Sequence, residues 1–162
     1  MLAQAADSGL PLVQANALDL PFADDSFDVA VSFKVLAHIE DIRGAIAEMA
    51  RVVRPGGVLA LEFYNRHSIR SLIKAVKPPS AIGDGVDDTE VYTRYDSLED
   101  IRGYLPAGAT IERLDGIRVV IPAASVMQHP AAARVIGAVD RRLGRTPLAR
   151  LGGFLLVLVR LP

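Results

Sequence analysis

The sequence predicts an α/β fold with an open, mostly parallel sheet, and three observations carry that reading. FDVAVSF (27–33) is nearly continuous apolar and rich in valine, the composition of a strand covered on both faces. Ile42, Ala45, Ile46, Met49, Val52 and Val53 then recur at helical spacing. VLALEF (58–63) follows as a second buried strand. Strand, helix and strand in this order form a parallel crossover unit, right-handed almost without exception.

Taken in order, residues 1–8 read as the end of a helix closed by Gly9 and Pro11, and LVQA (12–15) as a short strand. LPFADDS (20–26) is turn chemistry: Pro21 fixes a bend, and Asp24, Asp25 and Ser26 cap and turn. Asp41 is placed to cap the helix Asp41–Val53, and Pro55-Gly56-Gly57 to end it. A further helix is expected over Ser68–Val76. KPPSAIGDGVDDTE (77–90) reads as a loop insertion, solvated and mobile. Ser97–Tyr104 reads as a short helix, 110–122 and 152–162 as strands, and 130–143 as the helix between them. Alternating strands and helices imply helices on both faces of the sheet.

The chain has 162 residues, read as a single domain over 1–162 and long enough to bury a core. A net charge of -1 gives no global attraction to nucleic acid or to an acidic membrane surface. Cysteine is absent, which excludes disulfides and thiolate zinc sites and fits a reducing cytoplasm. FLLVLV (154–159) is the longest apolar run, far short of the roughly 20 residues of a membrane span. The first residues lack the basic start and apolar core of a signal peptide. The acidic residues Asp84, Asp87, Asp88 and Glu90 do not match a calcium loop, and no metal site is expected.

Three segments together, NALDLPFADDSFDVAVSF (16–33), VLAHIED (35–41) and AEMARVVRPGGVLALEF (47–63), resemble the central part of class I S-adenosylmethionine-dependent methyltransferases, most closely those acting on small molecules. The resemblance covers about residues 1–65 well and the remainder as an order of elements. It implies a Rossmann-like sheet whose last strand is antiparallel, S-adenosylmethionine as cofactor, and a small-molecule acceptor. The family binds its cofactor with a glycine-rich turn after its first strand. The only Gly-x-Gly here is GDG (83–85), in a loop that opens no helix. Residues 1–5 resemble the helix after the family's second strand. The chain therefore reads as an N-terminally incomplete domain without the first two strands and the glycine-rich loop. Its first expected strand is left with a bare apolar edge that invites self-association. Impaired methyl transfer is the reading for the chain as given; a non-catalytic remnant or partner subunit is the alternative.

The resemblance also assigns residues. Asn16 stands where the family commonly has an aspartate that accepts from the adenine amino group; its amide oxygen can still accept, without the charge. The Ala17 N–H would face the adenine ring, with Leu18 beside it. Ser32, Phe33 and Lys34 leave the strand where the family contacts the methionine part. His38 is the candidate catalytic base, because imidazole titrates near neutral pH; a capping or packing role competes with it. Tyr64, Asn65 and His67 follow the next strand at the same edge and are candidates for the acceptor pocket. Arg66, Arg70, Lys74 and Lys77 share one helical face, read as a solvated face or, alternatively, as a site for an anionic acceptor, with Arg70 a candidate substrate residue. Tyr92, Arg94 and Tyr95 are candidates for a lid, within an acceptor-facing region over 66–150. Glu48 and Arg51 read as an ordinary surface pair on a helix. Acceptor identity and the methylated atom are not legible.

Overall fold

The computed structural model describes residues 9–68, 81–83, 86–87, 92–120 and 130–162. Four strands make the main sheet: β1 (Phe27–Ser32), β2 (Val53–Tyr64), β5 (Thr110–Ile117) and β6 (Phe154–Arg160). A small antiparallel pair, β3 (Ala81–Gly83) and β4 (Val86–Asp87), stands apart from it, in the segment expected to be loop. The helices are α1 (Ile42–Val52), α2 (Leu98–Tyr104) and α3 (Pro130–Leu143), with 3-10 turns at Leu36–His38 and Pro147–Leu151.

The strand order is β1-β2-β6-β5. β1 pairs parallel with β2, while β6 pairs antiparallel with both β2 and β5. By pairing, then, the described sheet is not mostly parallel. Three of its four strands nevertheless run the same way, and the reversed last strand converts two pairings to antiparallel because it lies between β2 and β5. The antiparallel last strand is as expected.

The sequence explains α1 well. Asp41 accepts from the Gly44 N–H at 2.9 Å, the capping bond that normally contributes about 1 kcal/mol. A Cβ at position 44 would run into that carboxylate, which is why glycine sits there. Ile42, Ala45, Ile46, Met49 and Val52 are the buried stripe. They share one core with Leu59, Leu61 and Phe63 of β2 and Leu155, Val157 and Val159 of β6. α2 closes the same core through Ile101 and starts with a reciprocal cap between Ser97 and Asp100.

Several expectations change. α1 passes into β2 at once, so Pro55-Gly56-Gly57 lies inside the irregular start of a strand rather than after a helix. Residues 12–15 form no strand, and all four are exposed. β1 is not covered on both faces: Val29 is 52% and Val31 59% exposed. α1 covers only the face of Ala30 and Ser32, and the outer edge of β1 has no strand partner among the described residues. The described part of the strand expected over 110–122 ends at Ile117. The helix expected over 1–8, and all but Ser68 of the one expected over 68–76, fall on residues outside the description.

Candidate functional site

The motif segments meet through one arginine. Arg51 of α1 donates to the carbonyls of Leu20 and Phe22, each at 2.9 Å, and to Asp24 at 2.7 Å. It also clasps Glu48 through both oxygens at 2.8 Å, and Glu48 in turn accepts from the Leu20 N–H at 2.9 Å. The hydrogen bonds from Arg51 and Leu20 hold the Glu48 carboxyl down at about 2. Arg54 ion-pairs with Asp28. The two arginines of RVVRPGG therefore hold two of the three aspartates of the DDSFD turn, Asp24 and Asp28, and Phe22 stacks edge-on against Phe27 at 5.1 Å. Glu48 and Arg51 form the expected pair three positions apart, and both also engage partners 27 or more positions away in the chain, beyond the reach of a helix-spacing argument.

This turn brings residues 16–22 beside β1. An open apolar groove of about 550 Å³ runs there, lined by Ala17, Phe22, Phe27, Val31, Ser32 and Phe33 among others. Asn16, Leu18 and Lys34 do not line it. The Asn16 amide oxygen accepts from the Leu18 N–H at 3.0 Å, a local turn. The Ala17 N–H has no acceptor among the described residues. Lys34 has left-handed backbone, φ 58°, and carries its ammonium 5.4 Å from the centre of the Phe154 ring, away from the groove.

His38 is exposed, and its Nδ1 lies 2.8 Å from the Tyr92 carbonyl. A carbonyl only accepts, so Nδ1 carries the hydrogen and the neutral ring presents Nε2 as its lone pair. Tyr64 sits between the rings of His38 (6.1 Å), Tyr95 (5.6 Å) and Phe154 (4.9 Å). Asn65 and His67, next along the chain, belong instead to a polar pocket with Ser97, Asp100 and Arg150. Asn65 is buried and donates to the carbonyls of Arg150 and Gly152, so its donors are committed to the fold. Arg94 is committed too. Its guanidinium donates to Ile39 and Glu40, pairs with buried Asp96 at 3.3 Å and lies over Tyr104. Burial pushes the Asp96 carboxyl up, and burial with the bond to Asp96 pushes the Tyr104 hydroxyl up to about 12. Tyr92 is exposed. Arg70, Lys74, Lys77, Asp84, Asp88 and Glu90 lie outside the described residues.

One group escaped the sequence reading. Glu62 of β2 is buried (7% exposed), and its Oε1 has no hydrogen-bond partner among the described residues. Burial pushes its carboxyl up, while the charges of Lys34 and Arg118 pull it back. A lone charge inside VLALEF was the visible signal; the two cations come from distant segments and were not.

Residues 1–61 match the model of a family described as "Methyltransferase domain". Over 62 residues the chain is 50% identical to a demethylmenaquinone methyltransferase of Mycolicibacterium paratuberculosis, covering 38% of this chain and 26% of that one. Over 47 residues it is 55% identical to an O-methyltransferase of Aspergillus nomiae, covering 29% and 21%. A longer match, 32% identical over 142 residues, is to an uncharacterized protein of Mycobacterium tuberculosis, covering 68% and 52%. The chain thus spans well under two thirds of these curated relatives. Among solved structures, an S-adenosylmethionine-dependent methyltransferase from Thermotoga maritima superposes with a TM-score of 0.69 at 19% identity, covering all of this chain and 69% of that one. One from Mesorhizobium loti gives 0.60 at 20% identity, covering 99% and 75%. The fold is that of a Rossmann-like methyltransferase. Residues 1–61 thus carry a methyltransferase-domain match, and the chain shares the Rossmann-like fold of these structures. No described helix is long and apolar enough to cross a membrane, and no metal-binding cluster of side chains occurs among the described residues.

Proposed function

We propose that the chain is part of an enzyme that transfers a methyl group from S-adenosylmethionine to a small-molecule acceptor. The observation that carries this is the groove along β1, which reaches the strand's carboxyl end at Ser32 and Phe33, where open α/β sheets bind their ligands. Ala17, with its unused N–H, meets Ser32 and Phe33 there. These residues suit the cofactor's adenine and methionine ends: an amide donor for a ring nitrogen, apolar walls for the ring, and the end of a strand. When bound, S-adenosylmethionine supplies an electrophilic methyl on a sulfonium, transferred by in-line displacement that rewards alignment more than acid–base chemistry.

His38 takes the acceptor's proton at Nε2, the Tyr92 carbonyl fixing that tautomer. Tyr64, and beyond it the region 66–150 with Tyr92 and Arg70, supplies the acceptor side, whereas Asn65 and Arg94 support it from within the fold. The bare flank of β1 favours self-association, with exposed Phe27, Val29, Val31 and Phe33 as its apolar contribution.

Calorimetric titration of S-adenosylhomocysteine into the 162-residue chain tests the reading. Micromolar binding that weakens on Phe33→Ala supports it. Absence of binding removes the enzyme reading for this chain and leaves the scaffold.

A further inference from the structure

Two residues of the sheet's carboxyl edge hold left-handed backbone without being glycine: Lys34 after β1 and Arg118 after β5, each with φ 58°. Such strain persists where surrounding structure demands it, and it clusters at functional sites. Both side chains then converge on one ring. The Lys34 ammonium lies 5.4 Å and the Arg118 guanidinium 5.7 Å from the centre of Phe154. Phe154 pairs with Tyr64, and the neighbouring pair on the same face is Glu62 with Leu156. A buried carboxylate without a hydrogen bond therefore sits diagonally beside an aromatic ring that carries two cations. Burying a carboxylate oxygen without a hydrogen bond is unfavourable, and the Oε1 of Glu62 has none among the described residues.

We propose that Glu62, Lys34, Arg118 and Phe154 form a subsite for an aromatic or enolic hydroxyl group, which donates its hydrogen to Glu62 while its oxygen faces the two cations. The charge pattern selects that chemistry. An amine would add a third positive charge beside Lys34 and Arg118. A carboxylate would oppose Glu62. A hydroxyl is both donor and acceptor and satisfies both signs, and the rings of Phe154 and Tyr64 give an aromatic ligand an apolar wall. Lys34 is exposed, whereas Glu62 and Phe154 are buried. Assigning this hydroxyl to the methyl acceptor, as its anchor beside the atom served by His38, rests on the methyltransferase reading; the subsite itself does not.

The test compares binding of para-cresol, which keeps its hydroxyl hydrogen at neutral pH, with that of para-methylanisole, identical except that a methyl ether replaces the hydroxyl. Equilibrium dialysis with the full chain is expected to show the phenol held about tenfold to a hundredfold more tightly, the range for a hydrogen bond to a charged group. Glu62→Leu abolishes that preference. Glu62→Gln, which keeps the shape and an acceptor oxygen but not the charge, reduces it by less and provides a second reading should the leucine variant misfold. Lys34→Met lowers phenol binding without moving anisole binding. Equal binding of the two probes, binding of neither, or an undiminished preference in both Glu62 variants overturns the proposal. Parallel titration with S-adenosylhomocysteine keeps the two readings apart. A phenol preference without cofactor binding retains the subsite and removes methyl transfer, whereas cofactor binding without the preference removes the subsite alone.

Discussion

Replacing Asn65 by alanine is expected to destabilise the chain by about 3 kcal/mol, without requiring any part in catalysis. The side chain is 1% exposed. Its Nδ2 donates to the Arg150 carbonyl at 2.7 Å and the Gly152 carbonyl at 2.8 Å, and its Oδ1 accepts from the His67 N–H at 3.0 Å. Alanine removes all three bonds, each worth about 1 kcal/mol net, and leaves the Gly152 carbonyl in a buried setting. Those bonds join the end of β2 to the turn that feeds β6, so the loss falls on the sheet's central pairing. Asn65→Asp is expected to be worse than alanine, because it sets a carboxylate against two carbonyl oxygens. Urea unfolding followed by circular dichroism gives the number. An unchanged slope with a shifted midpoint assigns the loss to stability rather than to a change in the unfolded state. A loss below about 1 kcal/mol for alanine, or an aspartate variant as stable as wild type, would refute the argument that these donors serve the fold.

Lys34→Gly relieves a left-handed residue and is expected to stabilise the chain by about 1 kcal/mol while weakening phenol binding; thermal unfolding beside the dialysis assay reads both. Ile46→Ala, at a fully buried position of α1, is expected to cost about 2–5 kcal/mol in the same urea assay. The Glu48 carboxyl, held at about 2 against 4.5 in the unfolded chain, contributes stability that is complete above pH 4.5 and is lost as pH falls toward 2; a Glu48→Gln variant should be less sensitive over that interval. Glu62 acts in the opposite direction. Its raised value means the folded chain holds the proton longer, so its ionisation lowers stability as pH rises above 4.5, and Glu62→Leu should flatten that decline. Val31→Lys on the exposed face of β1 should shift sedimentation toward monomer; an unchanged distribution would count against association through this flank.

Local signals were enough for α1, α2 and the cores of β2 and β6. An apolar stripe at helical spacing, a capping side chain at Asp41 or Ser97, and short valine-rich runs act through neighbours a few positions away. The family motif was legible for the same reason, as a string. What the string does became visible only when Arg51 was seen holding Leu20, Phe22 and Asp24, since an arginine three positions after a glutamate looks alike in any helix. The burial of β1 was misjudged because valines in a row say nothing about whether a neighbouring strand covers them. Asn65 and Arg94 looked like pocket residues in the sequence, and only the fold revealed the carbonyls that engage them. The pairing pattern of the sheet likewise depended on where β6 inserts, a choice made by packing across the whole chain. The Glu62 cluster lies furthest from local reach: residues 34, 62, 118 and 154 share no periodicity, and only the strand order β1-β2-β6-β5 sets their charges around one ring. Sequence by itself determined the main helices, the cores of the central strands and the motif string, because those rest on short-range backbone preference and side-chain period. Tertiary structure decided which polar groups are consumed by the fold and which remain for a ligand, because hydrogen bonds and desolvation depend on partners that only folding assembles.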